Sequence, residues 1–351
     1  MLFAGDVVKL IRSQNWLAEK ANIETKSVTV RGKRMKRRTL ALCLLVCLLA
    51  GCGGGNENIY TGEKNIGSNS WDVEPGSLAE EPAIPDILEP VASGTAVEEN
   101  EKAIIDYSNI NDGYVMVKYI ARTEKRLKAQ VKGPTTTYSY NITQGEWEVF
   151  PFSDGNGDYQ VVVYENVEGS QYSTQLAVSV AVELEDEFAP FLRPNQYVDY
   201  GVAPETVKKA AYLTAGKEET LDKVQAVYDY VVNALKYDKK RAETVKSGYL
   251  PVLDSVLAEK KGICFDYAAL MTGMLRSQSI PCKLVVGYAG DAYHAWISVY
   301  SERDGWIDGA IYFDGTTWKR MDPTFASSAN KSSAIMKYIG NGENYKEKYL
   351  Y

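Results

Sequence analysis

The 351-residue chain holds one histidine, five cysteines and eight phenylalanines, and its longest apolar run is the 11 residues from Leu40 to Ala50. Each scarcity excludes something. A single histidine rules out mechanisms that need two imidazoles, including the two-histidine zinc hydrolase sites, and assigns base chemistry near neutral pH to His294. Eleven apolar residues fall short of the ~20 that a helix needs to span a bilayer. Basic charge is also scarce over most of the chain. Residues 1–52 carry 10 Lys and Arg against 3 Asp and Glu, which leaves the remainder near −14 within a total of −7. Such a surface repels phosphate backbones, so nucleic acid is excluded as the main partner.

What the chain does have is 45% hydrophobic residues, 24% charged residues and 25 tyrosines, in a length that accommodates two modest domains plus tails. The basic residues cluster at Arg31, Lys33, Arg34, Lys36, Arg37 and Arg38, just before the Leu40–Ala50 run, which is the order of a secretory signal. The run ends in Leu49-Ala50-Gly51-Cys52, which resembles the lipobox of bacterial lipoproteins. That resemblance implies cleavage before Cys52, lipidation of Cys52, and an extracytoplasmic protein held to the membrane by its lipid anchor. An otherwise complete signal begins at Met35, so residues 1–34 read as an over-extended start. Residues 1–52 are thus expected to be a lipoprotein signal. From 53 to 101, Gly, Asn, Ser, Pro and Glu dominate without an apolar period, predicting a disordered tether averaging roughly 35–40 Å end to end.

Period-two alternation then takes over. Leu127, Ala129 and Val131 alternate with lysine and glutamine, Tyr138, Tyr140 and Ile142 with polar neighbours, and Val161, Val163, Leu176, Val178, Val180 and Val182 continue the pattern. With turn signals at Asn111-Asp112-Gly113, Gly133-Pro134 and Asp154-Gly155-Asn156-Gly157, residues 102–188 are predicted to form a small Ig-like β-sandwich. Asp154, Asn156, Asp158 and Glu165 match positions of a calcium loop, but Tyr159 stands where that loop needs glycine, so a hairpin turn is expected and no metal site.

Beyond residue 200 the period becomes helical. Leu221, Val224, Val227, Tyr228, Val231 and Leu235 predict one helix with Thr220 as its N-cap, and Pro251 to Lys260 a shorter one stopped by Gly262. A third is predicted from Cys264 to Gln278, ending before Ile280-Pro281. Strands follow at Leu284–Val286 and Ala295–Tyr300, with Asp304-Gly305 as a hairpin turn. A helix succeeded by an antiparallel sheet makes residues 189–351 an α+β domain.

Once the signal is removed the chain keeps Cys52, Cys264 and Cys282. The predicted third helix puts about 22 Å between its start and end, and Cys282 follows its far end, whereas bridged cysteines need Cα atoms within about 7 Å. Cys282 therefore reads as a buried structural thiol. Cys264 opens a helix, where backbone N–H groups and the helix dipole favour a thiolate and can stabilise an oxyanion.

The segments Gly262-Ile263-Cys264-Phe265-Asp266-Tyr267-Ala268-Ala269-Leu270, His294-Ala295-Trp296 and Trp318-Lys319-Arg320-Met321-Asp322-Pro323-Thr324-Phe325 resemble, in that order, the nucleophile, histidine and aspartate segments of the transglutaminase-like superfamily. The spacings of 30 and 28 residues suit its compact bacterial core, and the resemblance covers about residues 195–328. It implies a papain-like/transglutaminase-like core and a Cys264, His294, Asp322 triad that attacks peptide or protein amides in the cell envelope through a thioester, without metal or organic cofactor. Acyl transfer to an amine, deamidation and peptide hydrolysis all begin this way. Asp308 and Asp314 remain alternatives for the third member, Asp266 is expected to support the helix start, and Tyr237 and Tyr249 are candidate oxyanion donors. The alternative function is a non-catalytic envelope binding module on the same fold.

Overall fold

The computed structural model describes residues 81–308, 311–313, 318–320 and 345–351. The signal segment with Cys52, and the part of the tether before residue 81, lie outside the described residues.

Eight strands build the first half: β1 (Val97–Glu99), β2 (Ala103–Asp106), β3 (Tyr114–Tyr119), β4 (Leu127–Lys132), β5 (Thr137–Ile142), β6 (Trp147–Pro151), β7 (Gly157–Glu168) and β8 (Gln171–Val182). They make two four-stranded antiparallel sheets, ordered β1-β2-β3-β6 and β5-β4-β7-β8. Alternation decides which side chains enter the core. Along β4 the burial runs strictly in and out, with Leu127, Ala129 and Val131 buried and the intervening lysines and glutamine half-exposed. Val115, Val117, Phe150, Val161 and Val163 complete the sealed interior.

Strand β1 lies inside the span that composition assigns to the tether. Polar side chains, which carry no apolar period, pin it there. The Asp106 carboxylate accepts the Gly94 N–H at 2.7 Å, and Asn100 accepts the N–H groups of Lys102 and Ala103 at 2.8 and 3.0 Å. Tyr114 reaches further upstream, accepting the Val91 N–H at 3.0 Å. The Asp154 region is a turn, but it carries the chain from β6 in one sheet to β7 in the other rather than closing the expected hairpin, and its polar groups are engaged within the fold. Asp154 accepts the Thr135 and Thr136 N–H groups and the Tyr138 hydroxyl, Asn156 accepts the Leu184 N–H, and Glu165 takes Lys125 at 2.8 Å.

Among the described residues, five α-helices follow: α1 (Pro204–Thr214), α2 (Thr220–Ala234), α3 (Lys239–Thr244), α4 (Leu253–Glu259) and α5 (Cys264–Arg276). Thr220 is the first residue of α2, and Glu219 occupies the N-cap. The stop of α4 is Lys260 in the left-handed conformation (φ 49°, ψ 40°), while Gly262 belongs to the short strand β10 (Lys261–Gly262), parallel to β9 (Lys236–Tyr237). An antiparallel sheet, ordered β13-β12-β11-β16, closes the domain from β11 (Cys282–Ala289), β12 (Ala292–Ser301), β13 (Gly305–Asp308) and β16 (Tyr345–Leu350), with a ribbon of β14 (Ile311–Phe313) and β15 (Trp318–Arg320). Helix α5, with Ala268, Leu270, Met271 and Leu275 fully buried, packs on β11 and β12. The predicted α+β arrangement, a helix on an antiparallel sheet preceded by a β-rich half, is the one observed.

Both halves share one hydrophobic core. Tyr140 stacks on Phe150 at 4.2 Å within the sandwich and meets a tilted Tyr197 and an edge-on Tyr351 across the junction, at 5.6 and 5.9 Å. Such ring pairs contribute about 0.5–1.5 kcal/mol each beyond the area they bury. At the far end of α5, the fully buried Arg276 donates to the carbonyls of Cys282, Arg193 and Tyr351 at 2.8, 2.8 and 2.6 Å, locking the helix to the sheet. Burial lowers its pKa to about 10.

Candidate active site

Helix α5 begins where an extended residue, Ile263 (φ −97°, ψ 176°), turns the chain out of β10. The turn is held by Asp266, whose carboxylate accepts the Ile263 N–H at 2.8 Å and the Tyr249 hydroxyl at 2.6 Å, with an Arg241 guanidinium nitrogen at 3.4 Å. This is one half of a capping box, and it leaves Cys264 in the first helical turn. Glycine at 262 is required by the same packing, since a Cβ there would lie 2.5 Å from the Asp266 Cβ. Arg241 also donates to Glu259 at 2.8 Å, and Asp238 caps α3 by accepting the Arg241 N–H at 2.9 Å, so α3, α4 and the start of α5 are tied at one point. Asp266 thus supports the helix start as the spacing predicts. Its carboxyl pKa is raised by burial, an effect opposed by the bonds it accepts.

His294 is the third residue of β12 and pairs across the ladder with Gly287. Alternation along β12 sends Ala295, Ile297 and Val299 into the core with α5, and His294 with Trp296 to the other face, their rings 6.3 Å apart and inclined by only 26°. His294 is buried to 1% exposure and Cys264 to 2%, and both border one cavity of about 130 Å³. Three walls enclose it. The helix start supplies Ile263, Cys264 and Phe265, the sheet supplies Val286, Tyr293, His294 and Ala295, and the third wall is the 245–249 loop facing Lys128, Ser139 and Asn141 of the sandwich. Tyr197 and Tyr351 form its floor at the domain junction, with their rings 4.6 Å apart.

Asp322 and Asp314 lie outside the described residues. Asp308 ends β13, paired with Ser298, and only its backbone is described. The two tyrosines proposed as oxyanion donors part company. Tyr249 borders the cavity, yet its hydroxyl is donated to Asp266, so in this arrangement the proton points at the helix start; burial pushes its pKa upward. Tyr237 sits in β9 opposite Gly262 and outside the cavity wall. Among the described residues, Cys264 and Cys282 are both free thiols. The Cys282 sulfur is buried 3.7 Å from the Thr272 hydroxyl, and burial pushes its pKa up to about 12, which suits packing rather than nucleophilic attack. Among the described residues no cluster of His, Cys, Asp and Glu could hold a metal ion.

Residues 207–323 match the model of the transglutaminase-like superfamily, a span that encloses Cys264, His294 and Asp322. This segment is a transglutaminase-like domain. YebA, an uncharacterized protein of Bacillus subtilis, is 29% identical over 150 residues, covering 37% of this chain and 20% of YebA, so the chain spans about a fifth of that relative. Solved structures similar to the chain include a candidate cysteine protease from Cytophaga hutchinsonii (18% identity, 68% of this chain and 76% of the other, TM-score 0.35). Red sea bream transglutaminase is another (12% identity, 65% and 53%, TM-score 0.27). Of the residues that border the cavity, sequence reasoning named Cys264, His294 and Tyr249 but not Lys128, Asn141 or residues 245–248. Lys128 occupies an outward position of an alternating strand, which reads as ordinary solvated surface, and only tertiary structure brings it to Cys264.

Proposed function

We propose that the transglutaminase-like domain is a thiol acyl-transfer enzyme acting on peptide or protein amides, with Cys264 as nucleophile, His294 as base and acid, and Asp322 as the group that orients the imidazole. The observation that carries this reading is the placement of Cys264 in the first turn of α5 and His294 on β12 around one cavity. The reading requires the imidazole to come within hydrogen-bond reach of the sulfur, an approach that commonly tightens only when substrate is bound. The thiolate attacks the amide carbon, forming the C–S bond, and the negative charge gathers on the oxygen beside the N–H groups of the first helical turn. Collapse breaks the C–N bond, the departing nitrogen takes the proton held by His294, and a thioester remains. Water or an amine, deprotonated by the same histidine, then attacks the thioester and releases the acid or a new amide with return of the thiolate. The signal-like segment ending at Cys52 supports a working place outside the cytoplasm, at the end of a lipid anchor.

The test assays one peptide library for amine incorporation, ammonia release and new N-termini, which separates transferase, deamidase and protease. Cys264→Ala should abolish all three and His294→Ala nearly so. Asp322→Ala should cost much but less, and His294→Ala combined with Asp322→Ala should be barely worse than His294→Ala alone, because the residues act as a unit. Full turnover by Cys264→Ala would overturn the reading.

A further inference from the structure

We propose that strands β4 and β5 of the sandwich form a wall of the active-site cleft, and that Lys128 there, with Lys246 of the adjoining 245–249 loop, binds a carboxylate of the peptide substrate. The proposal deepens the reading above and rests on it for the role of Cys264.

The chain carries a net charge of −7, yet the charged side chains among the described residues bordering the cavity are Lys128 and Lys246, with no carboxylate. Neither lysine is in an ion pair among the described residues, where Lys125, Arg193 and Arg241 each are. Lys128 is placed, not merely present. Its ammonium sits over the Tyr172 ring at 5.1 Å, and partial burial beside Arg126 lowers its pKa, so a carboxylate arriving there would relieve an unfavourable field. Lys246 belongs to the loop that approaches β5 so closely that a Cβ at Gly248 would lie 2.8 Å from the Asn141 amide nitrogen. Both cations thus border the cavity that Cys264 borders, one from the sandwich and one from the loop packed against it. A neutral or basic peptide gains nothing from this arrangement, whereas an acidic one gains two attractions in a partly desolvated site.

The experiment compares alkylation of Cys264 in the full chain by iodoacetate, which is anionic, and by iodoacetamide, which is neutral; each loses iodide as the C–S bond forms. The ratio of the two rates should fall about twofold with Lys128→Gln and again with Lys246→Gln, and the effect should shrink at high salt. Lys132→Gln removes a like charge from the same face of β4 but outside the cavity, and should leave the ratio unchanged. A ratio unmoved by the two cavity variants, or moved equally by Lys132→Gln, overturns the proposal while leaving Cys264 as nucleophile; failure of both reagents to modify Cys264 overturns the underlying reading instead. A second arm measures binding of three dansylated tetrapeptides to Cys264→Ala. They differ only in carrying a glutamate side chain, a free C-terminal carboxylate, or neither. Preference for one of the acids identifies which carboxylate is bound, and no preference over the neutral peptide contradicts the proposal.

Discussion

Asp266 does the most for the site of any residue that performs no chemistry. It accepts from Ile263 and Tyr249 while lying beside Arg241, and it is fully buried. Its carboxyl pKa is raised above the ordinary 3.8 because burial outweighs those bonds, so the folded protein holds its proton more tightly than the unfolded chain. The contribution to stability is therefore full below the unfolded value and is lost as pH rises through the folded one. Asp266→Asn should remove this slope, and the melting temperature of the parent relative to the variant should decline as pH rises from about 4. A relative melting temperature that rises over the same range would mean that the hydrogen bonds outweigh burial. Asp266→Ala strands a buried N–H and a tyrosine hydroxyl and should cost about 3 kcal/mol by denaturant titration.

At the scale of elements, two glycines set how closely the pieces of the site approach. Gly248 has φ +88° and packs against Asn141 of β5, so Gly248→Ala strains the backbone by roughly 1–3 kcal/mol and pushes the loop off β5. It should weaken peptide binding to Cys264→Ala by calorimetry and lower the melting temperature by a few degrees; unchanged binding would detach the loop from the site. The same scale shows what sequence could convey. The alternation of β4 and the helical spacing of α2 are local signals and were legible, as was the start of α5 at Cys264. The stop of α4 at Lys260 was not, because a lysine in the left-handed region carries no sequence signal while a nearby glycine does. Helix α1 and strand β1 were also missed. Strand β1 is three residues long with little apolar surface, and its place is set by side chains of Asn100 and Asp106.

For the whole molecule, the continuous core makes the two halves energetically one. Tyr140→Ala removes a ring that touches Phe150 on one side and Tyr197 and Tyr351 on the other, and should cost about 3–5 kcal/mol. Unfolding should remain a single transition by both tyrosine fluorescence and far-UV circular dichroism; two separated transitions would show that the halves fold independently. This union also explains why the cleft was less legible than the nucleophile. A triad segment resembles its family within a few residues, whereas a wall built from Lys128 and Lys246 is assembled only by tertiary packing. The central claim remains that Cys264 is a nucleophile activated by His294. The rate at which limiting iodoacetamide modifies each thiol, followed by peptide mapping in the parent and in His294→Ala, tests it most directly. The account predicts rapid modification of Cys264, a protected Cys282, and a marked slowing at Cys264 when His294 is removed. Equal modification of the two cysteines, or a Cys264 rate indifferent to His294→Ala, would contradict it.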